Sequence, residues 1–330
     1  MTIGYRSGLF EDTSRPHWRE DRHRPMAWSA WYPADGGDTS RPEHFFDMGP
    51  LAIDVPPAMT MALPLVIISH GTGGVTESLS WLARGLVEAG YIVAGVNHHG
   101  NCGGEPYLAE GFMCWWERAR DTSVLLDYLL RGPLSDFVDA DRIAHVGFSL
   151  GGYTGLALAG GRTSMAAWEA FQATLESPMR GPKEFEGMAN ELEGLAATSL
   201  QYKASMARHA DVYTETRIKS VVTIAAAPPL RALTEASVKA IGTPVTLVTS
   251  GADTEAPKEQ CSDWLKTQNP MFRYYDVGDD VGHYTFLGEP TNPALKTRLD
   301  IFQDRPGVVR AEVQQDTLDI VRATLASDLA

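Results

Sequence analysis

A chain of 330 residues, 44% hydrophobic and 21% charged, holds enough apolar side chain for one large α/β domain or two smaller ones. Its formal charge of −14 excludes nucleic acid and anionic membranes as partners, because recognising phosphate requires clustered Lys and Arg. The N-terminal MTIGYRSGLFEDTSRPHWRE has no apolar core, and no stretch reaches the length of a membrane span, so a cytoplasmic protein is expected.

Residues 5–10 and 26–33 read as two strands around a polar turn, and the proline-containing stretch 39–61 as an irregular surface excursion. The continuous apolar run 63–69 (LPLVIIS) predicts a strand buried on both faces. A helix follows, with Trp81, Leu82, Leu86 and Val87 on one side and Gly90 as its stop. Residues 91–96 are the next strand, 115–130 a helix, and 143–148 a short buried strand. Residues 150–160 (LGGYTGLALAG) form a helix of small residues. Residues 162–217 hold helical segments and no convincing strand, which predicts a helical insertion. Alternation resumes with strand 218–226, helix 230–240, strand 245–250, helix 258–267 and strand 271–277, and from Asn292 the chain reads mostly as helix. Alternating strands and helices imply a mainly parallel sheet covered on both faces, in one domain that carries 162–217 as a cap.

Gly147-Phe148-Ser149-Leu150-Gly151 joins the strand at 143–148 to the small-residue helix and has the pattern of a nucleophile elbow. Turning from strand to helix at one residue strains Ser149, and side chains two positions to either side would collide, so glycine stands at both. The N–H of Leu150 then faces any oxyanion formed at Ser149. A chance glycine turn is the plain alternative, since the chain has 31 glycines.

A serine hydroxyl needs an imidazole, itself held by a carboxylate, and in such a sheet these follow in the order Ser, acid, His. Of nine histidines, His283 alone sits in a glycine-flanked loop after the last predicted strand. Asp253 directly follows the strand 245–250 and is the expected acid; Asp276, Asp279 and Asp280 lie nearer His283 in sequence and are the alternatives. The loop Ser69-His70-Gly71-Thr72-Gly73-Gly74 is expected to give the second oxyanion donor, the N–H of Thr72, with His70 orienting the loop. His98 and His99 are adjacent on an extended segment and point to opposite faces, so no metal is expected there. Cys102, Cys114 and Cys261 are odd in number and lack C-x-x-C spacing, which gives no disulfide framework or zinc knuckle.

The strand ending in WYPA, the SHGTGG loop, GFSLGG, GAD and GHYTFL together resemble the α/β-hydrolases of the dienelactone-hydrolase-like and bacterial platelet-activating-factor-acetylhydrolase-like group over nearly the whole chain. The resemblance implies the α/β-hydrolase fold with an eight-stranded, mainly parallel sheet flanked by helices. It also implies acyl-bond hydrolysis by Ser149, Asp253 and His283, with Thr72 and Leu150 as oxyanion donors. Dienelactone hydrolases proper use cysteine; Ser149 at that position favours simple esters or amides over lactones.

The expected function is a serine hydrolase without metal or cofactor, cleaving a carboxylic ester of a small or medium-sized acyl substrate. An amidase or lactonase with the same triad is the alternative. The rival from another class is a ligand-binding protein that uses the fold without chemistry; the complete Ser-Asp-His order weighs against it. Trp168, Phe171, Leu175, Met188, Leu192 and Leu195 of the insertion are candidates for an apolar acyl pocket. Packing of the insertion on the sheet explains the same residues equally well.

Overall fold

The computed structural model describes residues 2–177, 179 and 181–330. Two long antiparallel strands, β1 (Thr2–Pro16) and β2 (His23–Ala34), begin the chain, and the two-residue β3 (Ala52–Ile53) pairs with β1. The alternating part contains β4 (Leu63–Ser69), α1 (Ser80–Glu88), β5 (Ile92–Asn97), α2 (Ala109–Met113), α3 (Glu117–Arg131), β6 (Val138–Phe148) and α4 (Leu150–Leu158). Helices α5 (Met165–Gln172), α6 (Met188–Thr198) and α7 (Leu200–Met206) precede β7 (Ile218–Ile224). Then come α8 (Glu235–Lys239), β8 (Val245–Thr249), α9 (Ser262–Gln268), β9 (Arg273–Asp276) and α10 (Arg310–Asp328).

The strands form one sheet in the order β3-β1-β2-β5-β4-β6-β7-β8-β9, parallel from β5 to β9. Nine strands replace the expected eight because β3 adds a short edge pairing, Gly4 with Ala52 and Tyr5 with Ile53. Strand alternation divides the core between the two faces. Leu65, Ile67, Ile92 and Ala94 pack with Leu125, Leu129, Tyr153 and Leu156 of α3 and α4. Val66, Ile68 and Val93 pack on the other face with Leu82, Leu86, Leu318 and Val321 of α1 and α10.

Several boundaries differ from the sequence reading, each for a local reason. Strand β1 continues past Phe10 through a polar segment because β2 pairs with it as far as Asp12 and again at Pro16. Strand β6 starts at Val138, where it pairs with Leu63 before a register shift. The predicted helix 230–240 is a 3₁₀ turn, Pro228–Ala232, followed by α8. Leu233 bridges Thr163, and the Thr234 side chain caps α8, so the backbone extends between the two. The last predicted strand is shorter than 271–277, and residues after Asn292 make two 3₁₀ turns before α10. Pro293, Pro306 and the left-handed Gly307 break that stretch. Ser199 divides the last helical segment of 162–217: it is extended, and its hydroxyl accepts from the N–H of Tyr202 to start α7. Cys102, Cys114 and Cys261 are all buried and free.

The interior beneath the C-terminal ends of the parallel strands is polar. His145 of β6, His70 after β4 and His98 after β5 are buried, and His145 Nε2 meets Ser69 Oγ at 2.9 Å. Burial, with a smaller contribution from the nearby Arg118 guanidinium, pushes His98 and His145 down to about 3 and His70 well below the ordinary imidazole range. The unfolded chain therefore binds protons at these sites below pH ~6.5 while the folded chain does not. The stability they contribute is complete above that pH and is lost as pH falls towards 3. We predict that unfolding free energy, followed by urea denaturation, falls between pH 6.5 and 5. His145→Asn is expected to reduce the slope by about one proton, roughly 1.4 kcal/mol per pH unit.

Candidate active site

Ser149 stands between β6 and α4 with φ 54° and ψ −118°, a region that side-chain-bearing residues avoid. The turn is tight enough that a Cβ on Gly147 would lie 2.0 Å from the Gly151 carbonyl oxygen, and one on Gly151 would lie 2.1 Å from that of Ser69. Strand β7 holds the residue from the side: Ser149 N–H donates to Ile224 O at 2.9 Å, and Ala227 N–H donates to Ser149 O at 3.1 Å. Leu150 is the first residue of α4, so its N–H has no partner within the helix.

The structure brings Ser149, His283 and Asp253 into one hydrogen-bonded row. His283 Nε2 lies 3.0 Å from Ser149 Oγ, and His283 Nδ1 lies 2.7 Å from Asp253 Oδ2. The other oxygen of Asp253 accepts from the N–H groups of Glu255 (2.9 Å) and Ala256 (2.7 Å), which fixes the carboxylate. Backbone bonds from Gly251 to Gly278 and from Ala252 to Val281 tie the Asp253 loop to the His283 loop. The alternative acids face elsewhere. Asp276 accepts from Lys258 Nζ and Gly278 N–H, while Asp279 and Asp280 are exposed.

The loop after β4 is held peptide by peptide. His70 Nδ1 bonds Gly71 O at 2.7 Å, and the N–H of His98 donates to His70 Nε2, so the ring is neutral with its proton on Nδ1. The Arg118 guanidinium donates to His70 O. With the 71–72 peptide trans, fixing Gly71 O on one side turns the Thr72 N–H to the other. Asn101 Oδ1 accepts from Gly73 N–H at 2.7 Å, Tyr107 donates to Gly73 O at 2.8 Å, and Gly103 N–H donates to Gly74 O at 3.0 Å. The polar run Asn97-His98-His99-Gly100-Asn101-Cys102 is thus the support of this loop, a role the sequence reading missed. His98 and His99 diverge, His98 to Asp121 and His99 to Glu105. Among the described residues, no group of three or more His, Cys, Asp or Glu side chains is arranged to hold a metal ion, and no helix is long and apolar enough to cross a membrane.

Two cavities meet at Ser149. The first, of about 460 Å³, is lined by Phe112, Trp115, Trp168, Met188 and Leu192. The second, of about 370 Å³, is lined by Phe45, Phe46, Tyr107, Phe148 and Ile301. Both share Thr72, Ser149, Glu184, His283 and Tyr284. Of the residues expected at an acyl pocket, Trp168, Met188 and Leu192 line the first cavity, but Phe171 does not. Its ring is buried beneath the Arg231 guanidinium, 4.6 Å from the centroid, and packs on Trp168. Leu175 and Leu195 are also absent from both linings. Glu184, which sequence reasoning missed, borders both cavities. Tyr284 Oη approaches its carboxylate at 3.5 Å. No periodicity or motif marks it, because it reaches the site from the stretch between α5 and α6.

No known family model matches the chain, and no curated protein matches it in sequence. Solved structures do match. A ferulic acid esterase from Streptomyces cinnamoneus aligns with a TM-score of 0.66 at 19% identity, over 99% of this chain and 90% of that one. A dienelactone hydrolase-like promiscuous phosphotriesterase from metagenomic libraries gives 0.54 at 13% identity over the full length of both chains. A puromycin-hydrolysing peptidase from Mycobacterium tuberculosis gives 0.52 at 14% identity, covering 93% of this chain and 38% of that one. The chain therefore has the α/β-hydrolase fold, with dienelactone hydrolase-like proteins among its structural neighbours.

The strain at Ser149 has a measurable consequence. We predict that Ser149→Gly melts at a higher temperature than Ser149→Ala, by about 1 kcal/mol or more in unfolding free energy, because glycine alone relieves the left-handed backbone. Differential scanning calorimetry of both variants checks this; equal stabilities would remove the strain from the account.

Proposed function

We propose that this protein is a serine hydrolase that cleaves carboxylic esters through an acyl-enzyme at Ser149. The observation that carries the reading is the hydrogen-bonded row Ser149–His283–Asp253, set on a strained turn at the junction of two apolar cavities. His283 Nε2 takes the Ser149 proton as Oγ attacks the acyl carbon, and Asp253 holds the imidazole in the tautomer that presents Nε2 to the serine. The N–H groups of Leu150 and Thr72 receive the oxyanion, each contributing roughly 3 kcal/mol to its stabilisation. His283 then gives the proton to the leaving oxygen, and water follows the same path to release the acid. No step calls for a metal or cofactor.

Ester cleavage is supported over amide cleavage by the leaving group: an alkoxide is expelled far more readily than an amide anion, so it depends less on a proton from the imidazole. The esterase among the structural neighbours is consistent with this choice. In this reading the segment 162–217 is a cap that shapes the acyl side through Trp168 and Leu192 and takes no part in bond cleavage.

The test is covalent labelling together with kinetics. A fluorophosphonate is expected to add once, on the peptide containing Ser149, and Ser149→Ala to abolish both labelling and ester turnover with the fold intact by circular dichroism. A label on Cys102, Cys114 or Cys261 that accompanies loss of activity would overturn the assignment. Asp253→Asn is expected to lower kcat by about 10⁴, as loss of the orienting carboxylate does in other triads. The same change at Asp276, Asp279 or Asp280 is expected to cost less than about tenfold, as none of the three holds the base.

A further inference from the structure

The two cavities differ in what they share with the reacting groups. The first has Leu150 and residues 227–229 in its wall, beside one oxyanion donor and the loop that follows β7. The second alone is walled by Phe148, whose ring lies 4.9 Å from that of His283, and by Leu287. A leaving oxygen must accept its proton from His283, so the group attached to it extends along the imidazole into the second cavity. The acyl substituent, on the opposite side of the carbonyl carbon, then enters the first. At about 460 and 370 Å³ each cavity alone has the size of a small-molecule site, and the walls of both are largely apolar and aromatic. An acetyl or methyl group would leave most of either wall in contact with water.

We propose that the substrate is an ester of a bulky apolar acid with a bulky apolar alcohol, with the acid part in the cavity under Trp168 and Leu192 and the alcohol part in the cavity under Phe45 and Phe46. The assignment rests on Ser149 being the nucleophile. It makes selectivity separable: each half of the ester is read by a different segment of the chain, the acid by the inserted helices and the alcohol by loops near residues 45 and 104.

Four esters of alcohols with similar leaving ability test this: ethyl acetate, ethyl 3-phenylpropanoate, 2-naphthylmethyl acetate and 2-naphthylmethyl 3-phenylpropanoate. With the full-length protein, the doubly bulky ester is expected to give the highest kcat/KM; a preference for ethyl acetate would overturn the proposal without any variant. Blocking variants then assign the halves. Ala189 lines the first cavity and is exposed. Gly104 lines the second; a Cβ added there would meet no atom within 4 Å, and its backbone lies outside the left-handed region. Ala189→Trp is expected to lower kcat/KM for ethyl 3-phenylpropanoate about tenfold more than for 2-naphthylmethyl acetate, and Gly104→Trp to do the reverse. Inverted selectivity, loss on the same ester by both variants, or equal loss on all four would each overturn it. Fluorophosphonate labelling of the same preparation separates the two levels. A labelled Ser149 with a contrary ester pattern removes only this inference, whereas an unlabelled Ser149 removes the serine-hydrolase reading as well.

Discussion

Ser149 is kept in a left-handed conformation that costs a non-glycine residue about 1–3 kcal/mol, and much of the surrounding order serves to keep it there. Its neighbours two positions away have no Cβ, its N–H and C=O are both taken by the end of β7 and the loop after it, and the strands β4 and β7 lie on either side of β6. Ala225, at the end of β7, is itself left-handed with φ 47°, so the strain is spread over two adjoining strand ends. Helix α4 can therefore start without a polar cap; its first turn packs directly into the sheet, and every residue of the helix is buried.

Beneath this turn lies a layer of buried charge that fixes loops which apolar packing alone would leave free to slide. Asp121 of α3 pairs with Arg24 at 2.8 Å, with Arg15 at 2.7 Å and with His98 at 3.0 Å. Burial alone would raise its carboxyl, but the two guanidinium groups hold it well below the usual range. Arg15 also meets Asp12 and Glu117, and Glu117 accepts from Ser205 of α7. One network thus joins β1, β2, α3, α7 and the loops after β4 and β5. Taking away one member of such a network typically costs about 3–5 kcal/mol, because a buried charge is left without its partner. Arg118, one residue after Glu117, has a different task. Among the described residues no carboxylate forms an ion pair with it, and burial lowers its guanidinium to about 9. Its hydrogen bond goes to the carbonyl of His70, at the base of the loop that carries Thr72.

Local patterns carried most of the fold. LPLVIIS and YIVAGV are strands because they must be buried on both sides, and the elbow was visible because the steric rule that demands glycine at 147 and 151 acts within five residues. The order of Ser149, Asp253 and His283 was equally legible, since each follows a strand. Features set by distant partners were not. The polar half of β1 is a strand only because β2 pairs with it, and α3 conceals charges on its buried face whose partners lie about 100 residues away in β1 and β2. The apolar residues of the stretch 162–217 looked alike in sequence, yet Trp168 faces the cavity while Phe171 lies under Arg231. That difference depends on where a 3₁₀ turn after β7 sets the arginine.

The three cysteines, buried and unpaired, follow the structure in a way unconnected with catalysis. Burial raises all three thiols, Cys102 to about 12, so the reactive thiolate is scarce and shielded while the protein is folded. They sit at three separate positions: beside the loop that carries Thr72, at the end of α2 just ahead of α3, and at the start of α9. Each can meet a thiol reagent only when its own neighbourhood opens. The native sequence thus contains three internal clocks, and the rates at which they are modified rank the local opening around the Thr72 loop, the junction of α2 and α3, and the Asp253 side of the molecule without any label being introduced.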